Sequence, residues 1–261
     1  MLNSEIDRLA LIISNKVRDI QGHLTDKEAR HLAMLAMFSK EGGEILEIGS
    51  FMGKSTTLLS LAAAEFSTNP KIVAVDPLTQ PSETDPTTQD SKPSRDEFYA
   101  NLNRAGIKQT VEFHEILSTQ LANSWVRPIS MLWIDGDHTV EGVLNDFENF
   151  APFLIPNGLI AMHDVMHGFR GPDQVFIDKI LRSDDFNAAG IVGSIGWAQK
   201  GRPSAQQKRC NEQLADRLQS WLDTCPPSMP ATGLRKLWLK FKRSQVPHGA
   251  VSAEKLQTML N

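Results

Sequence analysis

"EILEIGSFMGKSTTLLS", Glu44 to Ser60, decides the fold. It opens as a short apolar run suited to a buried strand. It turns through Gly49 and Gly53, then continues as an apolar stretch with no breaker, so it reads strand, turn, helix. The Gly-Lys-Ser inside it imitates a phosphate-binding loop. That loop needs four residues between its first glycine and the Gly-Lys, whereas Gly49 and Gly53 enclose three. One residue short, successive backbone N–H groups cannot wrap a phosphate in the same nest, so a nucleotide hydrolase is disfavoured. Lys54 is then expected to face solvent. The remaining reading is the first turn of a doubly wound sheet, where small residues let a ligand reach the backbone and the helix N-terminus favours an anionic group.

The flanking sequence extends this pattern. Upstream, Ile6, Leu9, Ile13 and Val17 recur at helical spacing, and "TDKE", Thr25 to Glu28, is a capping box that starts a second helix. Downstream, "KIVAVD", "TVEFHE", "SMLWID" and "LIAMHD" read as strands separated by helical segments. "AAGIVGSIGWAQKG" reads as two short strands around a turn. The expectation is an α/β, Rossmann-like, doubly wound sheet of seven mostly parallel strands with an antiparallel edge hairpin. Residues 1–43 form N-terminal helices, 44–201 the core and 202–261 a helical C-terminal extension. The segment from Pro77 to Arg95, rich in Pro, Ser, Thr and Asp, reads as a long functional loop and candidate lid. In the extension, "GLRKLWLKFKR" aligns Leu234, Leu237, Trp238 and Phe241 on one face with Lys and Arg opposite. A docked helix with a solvated basic face is expected, with an acidic surface or partner as the alternative.

Composition excludes several classes. In 261 residues, 41% hydrophobic and 22% charged content mark a globular chain. A net charge of −4 supplies no global basic field, so no nucleic-acid partner is expected. Cys210 and Cys225 show neither metal spacing nor a disulfide framework. With no apolar run long enough to span a membrane and no signal-peptide core at the start, a cytoplasmic location is expected.

Polar residues gather at the strand ends. Ligands of a doubly wound sheet bind at the carboxyl ends of its strands, and an acid ending the second strand can take ribose hydroxyls; Asp76 stands there. "WIDGDH" places Asp135, Asp137 and His138 after one strand, and "MHD" places His163 and Asp164 at the end of the next. Two carboxylates on one rim repel unless a cation or a proton joins them, which points to a hard divalent ion, Mg²⁺ or Mn²⁺. His138 could take a proton from a hydroxyl. Asp137 could instead cap the following helix, and His163 could be a satisfied strand-end histidine. His114, His167 and His248 have no comparable context.

Together these residues resemble a class I S-adenosylmethionine-dependent methyltransferase. "EILEIGSFMGKSTTLLS" resembles the first motif of that family and "KIVAVDP" its second. "SMLWIDGDHTVEGVLNDFENFAPFLIPNGLIAMHDV" is similar to metal-dependent O-methyltransferases, catechol-type enzymes and those acting on natural-product sugars. The resemblance spans Glu44 to Gly201. It implies that Glu47, Gly49 and Gly53 shape the methionine end of the cofactor pocket, Phe51 packs near the sulfur, and Ser55 bonds the cofactor carboxylate. Asp76 would hold the ribose, Ser118 would contact the adenine, and Asp135 would border the cofactor. It further implies Asp135 and Asp164 as metal ligands, with His163 or water as the third. His138 would be the base, with Asp137 as a second candidate. The implied activity is methyl transfer to a hydroxyl of a small molecule, a sugar or glycosylated natural product, by a chain that could pair with itself. A catalytically different relative, hydroxylase-like, and a non-catalytic protein-binding partner are the alternatives.

Overall fold

The computed structural model describes residues 2–66, 71–78, 95–224 and 233–261. Seven strands form one sheet: β1 (Glu44–Ile48), β2 (Ile72–Val75), β3 (Val111–His114), β4 (Ile129–Ile134), β5 (Leu154–Met162), β6 (Phe186–Val192) and β7 (Ile195–Lys200). Their order is β3-β2-β1-β4-β5-β7-β6. The first five are parallel; β7 runs antiparallel to both β5 and β6. The expected hairpin edge is therefore present. Strand order reverses between β1 and β4, the switch point where such sheets open a crevice.

Side-chain alternation divides the core. Leu46, Ile48, Val73, Leu132, Ile134, Ile160 and Met162 face one side, and Ile45, Ile72, Met131, Trp133, Leu159 and Ala161 the other. The second face is covered by α1 (Asn3–Lys16), α2 (Asp26–Phe38) and α3 (Lys54–Ala64). α4 (Arg95–Arg104) buries Phe98 and Leu102 in a satellite cluster beside Ile107. The first face carries α5 (Ser118–Ala122), α6 (Val140–Phe150) and α7 (Arg170–Val175), which continues as a π-helical turn over Phe176–Leu181.

The extension wraps the edge hairpin. Through Ala215, Leu218 and Trp221, α8 (Ala205–Leu222) joins the first core, while α10 (Ala253–Leu260) joins the second through Ala253 and Leu256. Between them lies α9 (Gly233–Ser244). The face expected to dock does not: Leu237, Trp238 and Phe241 are exposed, and Leu239 is the residue packed on the core. Leu234 and most of the candidate lid, residues 79–94, lie outside the described side chains.

Glu28 locks the N-terminal helices to the sheet edge. One carboxylate oxygen completes the capping box with the N–H and hydroxyl of Thr25, at 2.9 and 2.6 Å. The other accepts from the N–H and hydroxyl of Ser194 in the β6–β7 turn, at 2.6 and 2.8 Å. Gly193 makes room, since a Cβ there would stand 2.4 Å from that oxygen. Burial opposes ionisation of Glu28, but the Thr25 bonds, nearby His163 and Ser194 outweigh it and lower its pKa. Glu28→Ala orphans the buried donors of Ser194 and removes the cap partner. A loss of about 3 kcal/mol in urea unfolding is expected, with Glu28→Gln recovering part of it.

Candidate active site

The carboxyl rim is assembled by register. Ile48 pairs with Val75 and with Ile134, and Ile134 pairs with Met162. The next residue on each strand therefore reaches the same rim: Gly49, Asp76, Asp135 and His163. Bonds across the rim continue the ladder, from Asp135 N to Ile48 O at 2.8 Å and from His163 N to Ile134 O at 3.0 Å. Gly49 has φ +86°, and a Cβ on it would stand 2.1 Å from the Asp135 carbonyl. Glycine is required there by both backbone conformation and close approach.

The glycine turn is closed on itself. Gly53 N bonds Ser50 O at 2.7 Å, and Gly49 N bonds Val75 O at 3.0 Å. Asp76 accepts the N–H groups of Ser50 and Phe51 on Oδ2, at 2.7 and 2.8 Å, and that of Leu78 on Oδ1 at 2.7 Å. Four of the donors that a phosphate nest would use, the N–H groups of Gly49, Ser50, Phe51 and Gly53, are thus spent inside the protein. Lys54 does not face open solvent as expected; its side chain packs on Gly22 in the α1–α2 connection, and burial lowers its pKa. Asp76 holds the turn, a role its position alone did not indicate. Its Oδ1 retains capacity for one further donor, as a ribose hydroxyl would require.

Glu47 is fully buried beneath this turn. Its Oε2 accepts from Thr56 at 2.5 Å and from Ser50 at 3.2 Å, and the hydroxyl of buried Ser55 lies close enough to act on the same carboxyl. Burial, reinforced by Asp135, raises the Glu47 pKa to about 8, against the bonds from Ser55, Thr56 and Ser50. Phe51, with φ +46°, lies at the rim 6.2 Å from His23 of the α1–α2 connection. Ser118 donates to Asp146 at 2.6 Å. Asp146, on α6, lies behind Gly136, where an added Cβ would be 3.6 Å from its Oδ2. Burial raises the Asp146 carboxyl to about 7.

Three histidines surround two aspartates. The imidazole of His138 places Nε2 2.8 Å from Asp164 Oδ2 and stacks on Phe169 at 4.1 Å. His163 Nδ1 stands 3.0 Å from Asp135 Oδ1 and 3.5 Å from Asp164 Oδ2, and its Nε2 is buried without a hydrogen-bond partner. His167 Nδ1 stands 2.8 Å from Asp164 Oδ1. Burial opposes charge on His163, yet Asp135 and Asp164 outweigh it and hold its pKa well above the usual range. Burial likewise opposes ionisation of Asp164, but His163 and the bonds from His138, His163 and His167 hold it far below the carboxylate range.

One ligand atom each from Asp135, His138 and Asp164 lies within 4.8 Å of the others, a separation one metal ion can bridge. The grouping contains His138 rather than His163, whose Nδ1 is turned to the carboxylates as a hydrogen-bonding neighbour. Two carboxylates and one imidazole fit a divalent cation, Mn²⁺ better than Mg²⁺ because of the nitrogen. Asp137 is exposed, and both its oxygens bond Thr139, the N-cap of α6, at 2.9 Å.

The turn after β5 is strained and braced. Asp164 and Met166 have φ +60° and +64°. Buried Asp173, on α7, accepts Met166 N at 2.6 Å, and Val165 N bonds Ser194 O at 3.0 Å. Burial raises Asp173 to about 7, with Arg243 of α9 acting against it. His167 and Asp173 escaped the sequence reading. The available signal was the spacing "HDVMH": Asp164 and His167 are three apart, a separation that one turn of chain brings together, as the bond from His167 N to Asp164 O at 3.1 Å shows.

Residues 46–165 match a family described as a methyltransferase domain. The fold is that of class I S-adenosylmethionine-dependent methyltransferases, and its rim carries a candidate metal-binding triad. An O-methyltransferase from Bacillus cereus, solved with S-adenosylhomocysteine, aligns at 19% identity and TM-score 0.51, over 75% of this chain and 91% of its own. TomG from Streptomyces achromogenes, an O-methyltransferase of tomaymycin synthesis solved with S-adenosylmethionine, aligns at 18% and 0.53, over 77% and 90%. The O-methyltransferase NovP aligns at 14% and 0.56, over 77% and 98%.

Glu47 yields a pH prediction. A folded pKa of about 8, above the ordinary 4.5, gives stability that is complete below about 4.5 and declines as pH rises to about 8. Thermal melts of the protein without cofactor should show this decline. Asp146 and Asp173, raised to about 7, add to the decline, so Glu47→Gln should reduce it, most clearly above pH 7, and be the more stable form at the alkaline end; an unchanged slope there would assign the decline to another group.

Proposed function

We propose that the chain is an S-adenosylmethionine-dependent O-methyltransferase that acts, with a divalent cation, on a hydroxyl of a sugar or glycosylated natural product. The observation that carries this reading is the convergence of Asp135, His138 and Asp164 on the rim that also holds the glycine turn and Asp76. The likeness to an enzyme of tomaymycin synthesis supports a natural-product acceptor.

When bound, the cofactor supplies a sulfonium methyl group and the cation lowers the pKa of the acceptor hydroxyl. The cofactor would lie along the glycine turn, with its ribose at Asp76 Oδ1 and its adenine toward Gly136, Ser118 and Asp146. Phe51 and His23 would border the acceptor side. Asp135, His138 and Asp164 would hold the cation. His163 would orient Asp135, the outer-shell role that fixes a ligand's geometry.

With His138 engaged as a ligand, the proton acceptor is His167. Its Nδ1–H donates to Asp164 Oδ1, which leaves the lone pair on Nε2, and the side chain is 56% exposed at the rim. Asp164 sets the tautomer, and His167 takes the hydroxyl proton as the acceptor oxygen attacks. Asp137 is left to brace the start of α6. Positioning of acceptor and methyl donor would contribute the larger part of the rate.

Three variants separate these roles. Asp164→Asn and His138→Ala should lose Mn²⁺ binding in a paramagnetic-resonance titration. His167→Asn should keep both Mn²⁺ and cofactor binding, yet slow labelled methyl transfer by about 100-fold or more, with loss of the acid limb of the pH profile. Transfer to a sugar panel at the parent rate by Asp164→Asn in EDTA would sink the metal assignment. Absence of S-adenosylmethionine binding by calorimetry would sink the activity itself.

A further inference from the structure

Helix α9 has two opposed faces, and the catalytic reading uses neither. Toward the protein, Leu239 packs on the core, Arg243 lies close enough to Asp173 to act on its charge, and Val246 is buried just beyond. Away from it, Leu237, Trp238 and Phe241 are 64%, 46% and 60% exposed. At about 100° per residue these three fall within roughly a 100° arc that points away from Leu239. An exposed apolar stripe on a docked helix marks an interaction surface.

We infer that α9 is a peripheral docking helix that lays its Leu237–Trp238–Phe241 face into an anionic lipid bilayer surface. Charge selects the partner. Gly233–Ser244 contains Arg235, Lys236, Lys240, Lys242 and Arg243 and no acid, within a chain of net charge −4. The helix is a local basic patch on an acidic protein. A second copy would bring two such patches together and repel.

The arrangement of the cations selects a plane over a groove. Lys240 lies about 60° beyond Leu237 on one side of the stripe, and Lys242 about 40° beyond Trp238 on the other. The apolar wedge therefore has a lysine along each flank: exposed Lys240 can extend its stem to a headgroup layer, and Lys242, whose Nζ donates to Ser220 at 3.3 Å, adds its charge at the other edge. Lys242 Nζ stands 5.6 Å from the Trp238 ring centroid, so cation and aromatic form one edge of the patch. No helix among the described residues is long and apolar enough to cross a membrane, so contact with lipid would be at the interface.

Trp238 reports on this surface, because Trp125, Trp133, Trp197 and Trp221 are all buried. The full chain should co-sediment with vesicles of equal parts phosphatidylcholine and phosphatidylglycerol, and not with phosphatidylcholine alone. Its emission should shift to the blue, and brominated lipid should quench it, an effect that Trp238→Phe removes. Leu237→Ser with Phe241→Ser should abolish sedimentation at an unchanged melting temperature, since both side chains face outward. Lys240→Ala with Lys242→Ala should weaken partitioning by roughly 30-fold at low salt, as expected when two surface cations are withdrawn from an anionic bilayer. Failure to bind either vesicle would overturn the inference, as would equal binding by the Leu237/Phe241 double variant. A dimer in sedimentation velocity that the same double variant dissolves would assign the face to a second copy instead.

Discussion

Two carboxylates cannot be held together at the edge of a low-dielectric core unless positive charge or protons come with them. Asp135 and Asp164 meet that constraint through three imidazoles. His163 stands between them, His138 closes on Asp164 from the β4–α6 connection, and His167 closes on it from the turn after β5. Much of the surrounding structure keeps this cluster in place. The register of β1, β4 and β5 ends the strands level, and the left-handed backbone at Asp164 turns its carboxylate back over the rim. Asp173 holds the turn by its Met166 N–H, and Ser194 holds it by Val165. A divalent cation would take over the compensation that the histidines provide, so the same geometry serves folding and chemistry.

The bracing reaches outward on both faces of the sheet. Ser194, which anchors Val165, is itself gripped by Glu28, so the N-terminal capping box and the metal turn share one residue of the edge hairpin. On the other face Arg243 of α9 acts on Asp173. The N-terminal helices are thus fastened through Ser194 to the turn that carries Asp164, and α9 brings the charge of Arg243 near the residue that braces it. A methyltransferase fold leaves its acceptor chemistry to such additions, because the cofactor half of the rim is built by the strands themselves.

The glycine turn illustrates how one geometry excludes a function and supports another. The N–H groups of Gly49, Ser50, Phe51 and Gly53 are taken by Val75, Asp76 and Ser50, so these four do not wrap a phosphate. The same bonds press the turn against the end of β2. Buried Glu47 lies under the turn and Asp76 beside it, both at the switch point of the sheet where a ligand of a doubly wound fold binds.

From the sequence alone came the alternation of strand and helix, the capping box at Thr25, the antiparallel edge and the rim membership of Gly49, Asp76, Asp135, His163 and Asp164. These rest on periodicity and on short-range geometry, which neighbouring residues decide among themselves. Only tertiary structure decided what each rim residue touches. Nothing local tells His138 from His163 as the third partner, because that depends on how the β4–α6 connection folds over the end of β5. His167 stands three residues after Asp164, a spacing the sequence displays, but the turn that closes the pair has two left-handed residues and is held by Asp173, brought from α7. The face of α9 was assigned in reverse. Its amphipathic pattern shows that one side is apolar, but whether that side meets the core or the solvent is set by the partner surface. Here Leu239 and Arg243 took the core, and Leu237, Trp238 and Phe241 were left outside.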